Sequence, residues 1–489
     1  MDYTGIRTAD AGPEASSMME TLRAIGYSLE TAVADIIDNS ISADAKVIEI
    51  NRIWRGDKSV ITIKDDGLGM SSKEIIQAMK PGSQNPLAQR SEKDLGRFGL
   101  GLKTASFSQC KRVTVLSKKK DGEPDFWTWD LDYVKDENKW LVLHYVPKDF
   151  ENALDGQKSG TLVIWSEMDR IVRLGTGEGN EPMKIKFSKD LDRVKQHLSM
   201  TFHRFIEDKS LKLLWCGHLI KPWNPFFTGE PLTDSLSIDT FPGGITVKGY
   251  ILPHKDQFSS SLAFEEASGM NGWNSHQGFY VYRGKRLLLA GDWLGFGQKS
   301  ESTKLVRIQV DLPNTQDSDW QIDIKKSRAY PPASCRDQLE AYAKKAKNKG
   351  IEVYRHRGKI LKQRAGVNFK PLWLDKSKDS KWTFVINRDN DVVRTAKLMA
   401  REKPDIAIET LLKIIEEDIP THSIHYKEML EQESQKKPFE GFEIEEIREL
   451  ATIIYKNKIV DGLTPKQAKE YLKTVEPFNN FDELTDNLE

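Results

Sequence analysis

The chain has 489 residues, and at about 150 residues per domain this length predicts roughly three domains. Hydrophobic residues make up 38% of the sequence and aromatic residues 9%, which excludes a wholly disordered protein because disordered chains are poor in aromatics. The 73 basic and 73 acidic side chains cancel, so the overall charge indicates neither a nucleic-acid partner nor a membrane partner.

Cysteine content and hydropathy indicate the compartment. Cys110, Cys216 and Cys335 are too widely spaced for a paired metal motif, and an odd number does not suit a disulfide framework. No apolar segment approaches the ~20 residues that a membrane-spanning helix needs, and the N-terminus lacks a signal-peptide pattern. We therefore expect a cytoplasmic protein in a reducing environment, with no membrane partner.

The first two hundred residues read as an α/β unit. Apolar spacing near 3.6 predicts one amphipathic helix over Thr21–Ala43, and Ser71 or Ser72 is a candidate N-cap of a short helix. The segment Pro81–Arg90, rich in Gly, Ser, Asn and Gln, predicts a loop. Strands are predicted at Val47–Ile53, Ser59–Lys64, Arg112–Leu116, Asp125–Tyr133, Trp140–Tyr145 and Thr161–Trp165.

A second strand-rich region follows a helix predicted at Lys189–Phe205. Its clearest strands are Leu211–Cys216, Gly244–Leu252, Gly278–Tyr282 and Val306–Val310. We expect domains at 1–204 and 205–345, and a mainly helical C-terminal region at 346–489 with helical patterns at Ile444–Tyr455 and Thr464–Val475.

The C-terminal region contains a basic segment followed by an acidic one. Ala341–Lys381 holds 13 Lys or Arg against 3 acidic residues, whereas Thr421–Glu489 holds 15 acidic against 9 basic residues. The basic stretch, taken as 344–381, is either a solvated surface or a set of phosphate contacts with DNA.

Three polar motifs lie in the first domain. Asp35 and Asn39 are four residues apart on the long helix and so share one face, where they could orient a water and ligate a hard cation such as Mg²⁺. The segment 65–70 reads Asp-Asp-Gly-Leu-Gly-Met directly after a strand, which suits a plain turn or close approach to a flat ligand. The segment 96–104 carries Gly96, Gly99, Gly101 and Lys103 before a helix, which suits a flexible hinge or a phosphate cradle.

The ordered set resembles the GHKL ATPase superfamily, which includes the ATPase chain of DNA gyrase, MutL, the 90-kDa heat-shock chaperones, histidine kinases and MORC proteins. The fold that this implies is α/β: a two-layer GHKL sandwich, a ribosomal-protein-like α/β transducer domain and a mostly helical C-terminal region. The sequence of residues 98–103 looks most like that of MORC proteins and their bacterial relatives.

The resemblance assigns roles position by position. Asn39 matches the Mg²⁺ ligand, Asp65 the reader of the adenine amino group, and Thr161 the residue that holds a water beside that Asp. Pro81–Phe98 matches the ATP lid. The nucleotide would be bound by Asn39, Asp65, Gly67, Gly69, Met70, Gly96, Arg97, Phe98, Gly99, Leu100, Gly101, Leu102, Lys103 and Thr161.

Asp35 departs from the family pattern. Members that hydrolyse ATP usually have Glu at this position, and Asp is one methylene shorter, so we expect slow turnover with Asp35 polarising the water. In the second domain, Gly278–Leu287 resembles the transducer signature of MutL, gyrase and MORC proteins. Trp320–Ser327 resembles its lysine loop, with Lys325 as the candidate for the γ-phosphate contact and Lys326 second.

The resemblance implies an ATP- and Mg²⁺-dependent ATPase acting as a gated homodimeric clamp. DNA is its expected client, through DNA maintenance or anti-phage defence, and partner proteins are not indicated by the sequence. Two alternatives stay open: a chaperone-like ATPase acting on protein clients, and an ATP-binding interaction module with little turnover.

Overall fold

The computed structural model describes most of the chain and divides into two compact units, Met1–Tyr354 and Arg355–Glu489. The described residues are 7, 12–82, 101–313, 316, 319–321, 329–355, 372–378, 381–417, 419–420, 424, 434–435, 444–475, 478, 485 and 488.

The first unit opens with a seven-stranded sheet in the order β4-β3-β5-β2-β1-β6-β7. Neighbouring strands run antiparallel except β1 and β6, which are parallel. In chain order the elements are α1 (Ala15–Ala24), α2 (Leu29–Ser42), β1 (Val47–Ile53), β2 (Val60–Asp65), α3 (Ser72–Met79), α4 (Gly101–Phe107), β3 (Arg112–Lys118), β4 (Asp125–Asp130), α5 (Leu131–Glu137), β5 (Gly160–Ser166), α6 (Glu181–Thr201), α7 (His203–Glu207), β6 (Lys212–Trp215) and β7 (His218–Leu219).

The helices of this part lie on one face of the sheet. The main core joins apolar residues of α1, α2, α4 and α6 to alternate strand residues such as Ile48 and Ile63. The opposite face carries Val60, Leu162 and Ile164 in a smaller cluster with Val146 and Leu154. The two-layer α/β arrangement predicted from the sequence is confirmed.

Three predicted elements of this part differ from the structure. The single helix over Thr21–Ala43 is two helices, because Gly26 adopts a φ of 73° and Ser28 caps α2 by accepting from the Thr31 N–H. The predicted strand Trp140–Tyr145 forms only an isolated bridge between Leu143 and Thr128. The predicted strand Asp125–Tyr133 ends at Asp130, whose side chain caps α5.

A second sheet completes the first unit, with five strands in the order β11-β10-β12-β9-β8. Its elements are β8 (Asp234–Phe241), β9 (Ile245–Ile251), α8 (Ser261–Ala267), β10 (Gly278–Arg283), β11 (Arg286–Asp292), β12 (Val306–Leu312) and α9 (Ala333–Arg355).

The two faces of the second sheet have different neighbours. Val281 and Ile308 pack with Leu339 and Ala343 of α9 in one core. On the other face Tyr280 and Tyr282 pack with Met200 of α6 and with Phe226. Helix α6, which packs against the first sheet, therefore also contacts the second. The boundary at 204–205 stays a prediction, and β6 and β7 of the first sheet come from beyond it.

The second unit combines a small sheet with helices. Its elements are β13 (Trp373–Lys378), β14 (Lys381–Ile386), α10 (Asp391–Met399), α11 (Pro404–Glu417), β15 (Ser434–Gln435), α12 (Ile444–Val460) and α13 (Pro465–Lys473). Helices α12 and α13 confirm the two predicted C-terminal helices, and Thr464 and Gln467 form a capping box at the start of α13. The middle of the basic stretch, 356–371, lies outside the described residues. In the described part of the chain, every helix is too short or too polar to cross a membrane.

Candidate functional site

A buried carboxylate lies where the first sheet meets α2. Asp65 ends β2, lies in register with Thr161 of β5, and is 6% exposed. Its carboxylate accepts hydrogen bonds from the Ser40 hydroxyl at 2.7 Å, the Gly67 N–H at 2.9 Å and the Thr161 N–H at 3.1 Å. Burial raises the pKa of Asp65 above its ordinary value, and these hydrogen bonds act in the opposite direction. Asp65 is thus a fixed acceptor in a buried corner.

A hydroxyl pair supports Thr161 beside this carboxylate. The Ser117 hydroxyl donates to the Gly160 carbonyl at 3.0 Å and accepts from the Met70 N–H at 2.8 Å. Because the single Ser117 proton is used in this way, the Thr161 hydroxyl is the donor in the 2.8 Å bond between the two side chains. The lone pairs of the Thr161 hydroxyl can then accept a hydrogen bond from a water or a ligand.

Two glycines allow the turn after β2 to pack closely against its surroundings. Gly69 has a φ of 67°, and a Cβ built there would lie 1.8 Å from the Lys118 carbonyl oxygen. A Cβ on Gly67 would lie 2.8 Å from the Ala43 carbonyl oxygen. Both positions therefore require glycine for local packing, whatever ligand they line.

The polar face of α2 carries the other two motif residues. Asp35 is buried and accepts a hydrogen bond from the Tyr27 hydroxyl at 3.0 Å, whereas Asn39, one turn later, is exposed. A Cβ on Gly101 would lie 3.6 Å from Asp35 Oδ2, so the first turn of α4 faces this carboxylate. The exposed amide of Asn39 offers an oxygen that suits Mg²⁺.

The side chain of Lys103 is engaged with the end of α3. Its ammonium donates to the carbonyls of Ala78 at 2.8 Å and Lys80 at 2.9 Å, and it is only 3% exposed. Burial lowers the pKa of Lys103 to about 8. A phosphate contact would require this ammonium to leave the two carbonyls, and that role stays a prediction.

Several predicted site residues lie outside the described residues. They are Gly96, Arg97, Phe98, Gly99 and Leu100, most of the Pro81–Phe98 segment, and Lys325 and Lys326. Leu102 is described and packs against the main core. Trp320, at the start of the predicted lysine loop, is fully buried.

Three residues of this site were not singled out from the sequence: Tyr27, Ser40 and Ser117. Ser40 directly follows Asn39, and its hydroxyl joins α2 to Asp65. Tyr27 and Ser117 act on residues 8 and 44 positions away, and a single sequence carries no signal for such pairs. In the described residues, no three His, Cys, Asp or Glu side chains form a metal-binding group.

Comparison with known proteins adds a family match. Residues 27–161 match the family described as histidine kinase-, DNA gyrase B- and HSP90-like ATPase. The chain is 36% identical over 92 residues to ATPase morc-1 of Caenorhabditis elegans, which covers 19% of this chain and 10% of that protein. It is 28% identical over 97 residues to the DNA mismatch repair protein MutL of Rickettsia prowazekii, which covers 20% of this chain and 16% of that protein. The matched segments thus span a small part of each relative.

Proposed function

We propose that the chain binds and slowly hydrolyses ATP with Mg²⁺, on the premise that residues 27–161 match the histidine kinase-, DNA gyrase B- and HSP90-like (GHKL) ATPase family and that the chain has MORC and MutL relatives. The observation that carries the proposal is the buried acceptor Asp65, held by Ser40 and Thr161 beside the glycine turn. A flat base with an exocyclic amine fits such a corner.

The base-binding residues act by hydrogen bonding and packing. Asp65 accepts a hydrogen bond from the adenine amino group, and Thr161 holds a water against the ring beside it. Gly67 and Gly69 keep the backbone close to the face of the base, and Met70 lines the same turn. Because Asp65 is buried, the hydrogen bond that it makes discriminates strongly against a base without this donor.

The residues of α2 act on the phosphate end. Bound Mg²⁺ would neutralise charge on the phosphate oxygens, and the exposed amide oxygen of Asn39 would hold it. Asp35 takes a proton from the attacking water as the new P–O bond forms and the bond to the β-phosphate oxygen breaks, which leaves ADP and phosphate. Tyr27 orients the Asp35 carboxylate for this transfer.

The phosphate-binding roles of the remaining predicted residues rest on the family pattern alone. Gly96, Gly99 and Gly101 would offer backbone N–H groups, and Lys103 would add a positive charge once it leaves α3. Lys325 of the second region would reach the γ-phosphate.

We also propose that ATP drives formation of a homodimeric clamp with DNA as its client. The support is the similarity to morc-1 and to proteins described as DNA mismatch repair MutL, together with the basic stretch at 344–381. The two other candidate functions, a chaperone-like ATPase and a module that binds ATP with little turnover, share the nucleotide site and differ in the steps after nucleotide binding.

The test of the nucleotide site is the affinity for a non-hydrolysable ATP analogue, measured by calorimetry. We expect Asp65→Asn to weaken binding by about 10- to 100-fold, because a hydrogen bond to a charged group contributes about 1.5–3 kcal/mol. Asn can still accept from Gly67 and Thr161, and the Ser40 hydroxyl can reverse its bond, so the corner should stay folded.

Asp66→Asn is the matched control. Asp66 is exposed and accepts from the Lys46 and Val47 N–H groups through one oxygen, which Asn retains. It loses the same charge one residue away and should bind the analogue like the natural chain. Equal affinities for the two variants would remove Asp65 from the role of base reader.

The clamp is tested by light scattering with Mg²⁺ and either ADP or the analogue. We expect a monomer with ADP and a dimer with the analogue, and DNA at low salt should bind and stimulate turnover. Unchanged mass with nucleotide bound would favour the interaction module. A dimer whose turnover ignores DNA of any sequence would favour the chaperone-like function.

A further inference from the structure

A buried ion pair joins the helix that carries Asp35 and Asn39 to the second sheet. Arg286, at the start of β11, donates through Nε to the carboxylate of Asp38 at 3.0 and 3.3 Å. The two side chains are 5% and 2% exposed, and they are 248 positions apart in the chain. No described ion pair except this one connects α2 with a strand of the second sheet.

The surroundings of Arg286 leave Asp38 as its charge partner. The guanidinium lies 5.1 Å from the centre of the Phe202 ring, and it also donates to the Leu287 carbonyl. Burial, and then the Arg286 charge, lower the pKa of His197 to about 4, so this histidine is neutral at pH 7 and adds no second cation. The position of Arg286 is therefore set by an aromatic ring, one backbone carbonyl and one carboxylate.

Asp38 lies in the same helical turn as the two proposed nucleotide residues. At about 100° per residue, it is about 60° around the helix from Asp35 and about 100° from Asn39. An anchor at this position limits both rotation and sliding of the turn that carries them. The predicted catalytic face of α2 is thus fixed relative to the second sheet through one side chain.

We propose that Arg286 is a positioning residue for ATP hydrolysis, which it serves by holding Asp38 and, through it, Asp35 and Asn39. This inference rests on the proposed ATPase function. It makes the second sheet part of the nucleotide site, because a movement of β11 would be transmitted to α2. Stability alone gives a weak reason for such a pair, since buried ion pairs are often replaceable by apolar residues without loss.

The experiment compares Arg286→Met with the natural chain in steady-state hydrolysis with Mg²⁺. We expect kcat to fall by about 10- to 100-fold, because a misplacement of about 1 Å can reduce a rate about 100-fold. Affinity for ADP in EDTA should stay the same, since it depends on the Asp65 corner. Arg286→Lys, which keeps the charge at one nitrogen, should recover part of kcat.

Arg204→Met is the matched control. Arg204 of α7 pairs with Asp311 of β12, so it also crosses to the second sheet, but it does not contact α2. Its removal should lower thermal stability and leave kcat close to that of the natural chain. A merely structural role of Arg286 would give the two Met variants the same kcat.

Three further outcomes decide the case. If Arg286→Met does not fold, the apolar double variant Asp38→Leu/Arg286→Met removes the link without leaving an unpaired buried charge, and a normal kcat in that folded protein overturns the inference. If the natural chain binds and hydrolyses ATP while Arg286→Met retains full kcat, only the positioning role fails. A natural chain that neither binds nor hydrolyses ATP overturns the proposed function and this inference together.

Discussion

In the proposed function Asp35 takes the place of a glutamate, and its side chain is one methylene shorter than glutamate. Its carboxylate is held by the Tyr27 hydroxyl at 3.0 Å and faces the first turn of α4. Two features therefore limit the access of the Asp35 carboxylate to a water. The short side chain stays close to its helix, and Tyr27 fixes the direction of one carboxylate oxygen. Slow turnover is expected if the water lies beyond that reach.

Substitution of Asp35 tests the reach of the carboxylate. We expect Asp35→Asn to lower kcat by about 10²- to 10⁴-fold, the usual contribution of a general base, with affinity for the ATP analogue preserved. Asp35→Glu should raise kcat by about 10-fold, because it restores the missing methylene. The measurement is single-turnover release of phosphate.

Tyr27→Phe separates orientation from chemistry in the same assay. It removes the hydroxyl that donates to Asp35 but leaves the carboxylate, so kcat should fall less than in Asp35→Asn. An unchanged rate in Asp35→Asn would exclude Asp35 as the base. A lower rate in Asp35→Glu would mean that the site fits the shorter side chain.

At the scale of elements, local signals predicted most strands and missed the breaks. Strands β2, β3 and β5 are buried almost throughout, because the sheet is covered on both faces, and their runs of apolar and β-branched residues are visible in a single sequence. The apolar spacing that predicted one helix over Thr21–Ala43 continues across Gly26 and Ser28, yet these two residues supply a left-handed turn and an N-cap. The turn residue and the N-cap residue are both local signals of a helix break. The prediction gave more weight to the helical spacing of the apolar residues.

The predicted strand Trp140–Tyr145 failed for a different reason. Its aromatic residues satisfy strand propensity, but Trp140 packs edge-on against Trp129 at 6.3 Å, and only Leu143 pairs with a strand residue. The segment contacts β4 through side chains and one bridge, and it does not add a strand to the sheet. Strand propensity reflects a half-buried pleated surface, and other packing can satisfy the same residues.

The candidate site was predictable where its residues are local in sequence. Asp35 and Asn39 share a helix face by spacing, and Asp65 follows a strand beside two glycines. The contacts that organise them are distant: Thr161 lies 96 positions from Asp65, and Arg286 lies 248 positions from Asp38. The first pair was predicted only through the family resemblance. The second depends on the packing of two sheets, for which a single sequence carries no visible signal.

At the scale of the whole molecule, histidines with lowered pKa values make the stability of the protein depend on pH. His276 is 3% exposed, contacts the Tyr280 hydroxyl at 3.2 Å and lies against the Trp223 ring. Burial, followed by the charges of Arg307 and Lys299, lowers the pKa of His276 to about 3. His197 behaves alike, with a pKa of about 4. Both side chains are neutral in the folded protein at pH 5.

The free energy of unfolding should therefore fall as the solution becomes acidic. In the unfolded chain a histidine binds its proton near pH 6.5, so below that pH the unfolded state holds more protons than the folded state. Stability contributed by His276 is complete above about pH 6.5 and is lost progressively toward pH 3. Between pH 7.5 and pH 5 we expect the free energy of unfolding to fall by about 2 kcal/mol because of this residue, measured by urea unfolding.

His276→Gln should reduce the slope of the unfolding free energy against pH. His218→Gln, at an exposed position of β7, should leave that slope unchanged. Equal slopes for the natural chain and His276→Gln would show that His276 is protonated without penalty in the folded state.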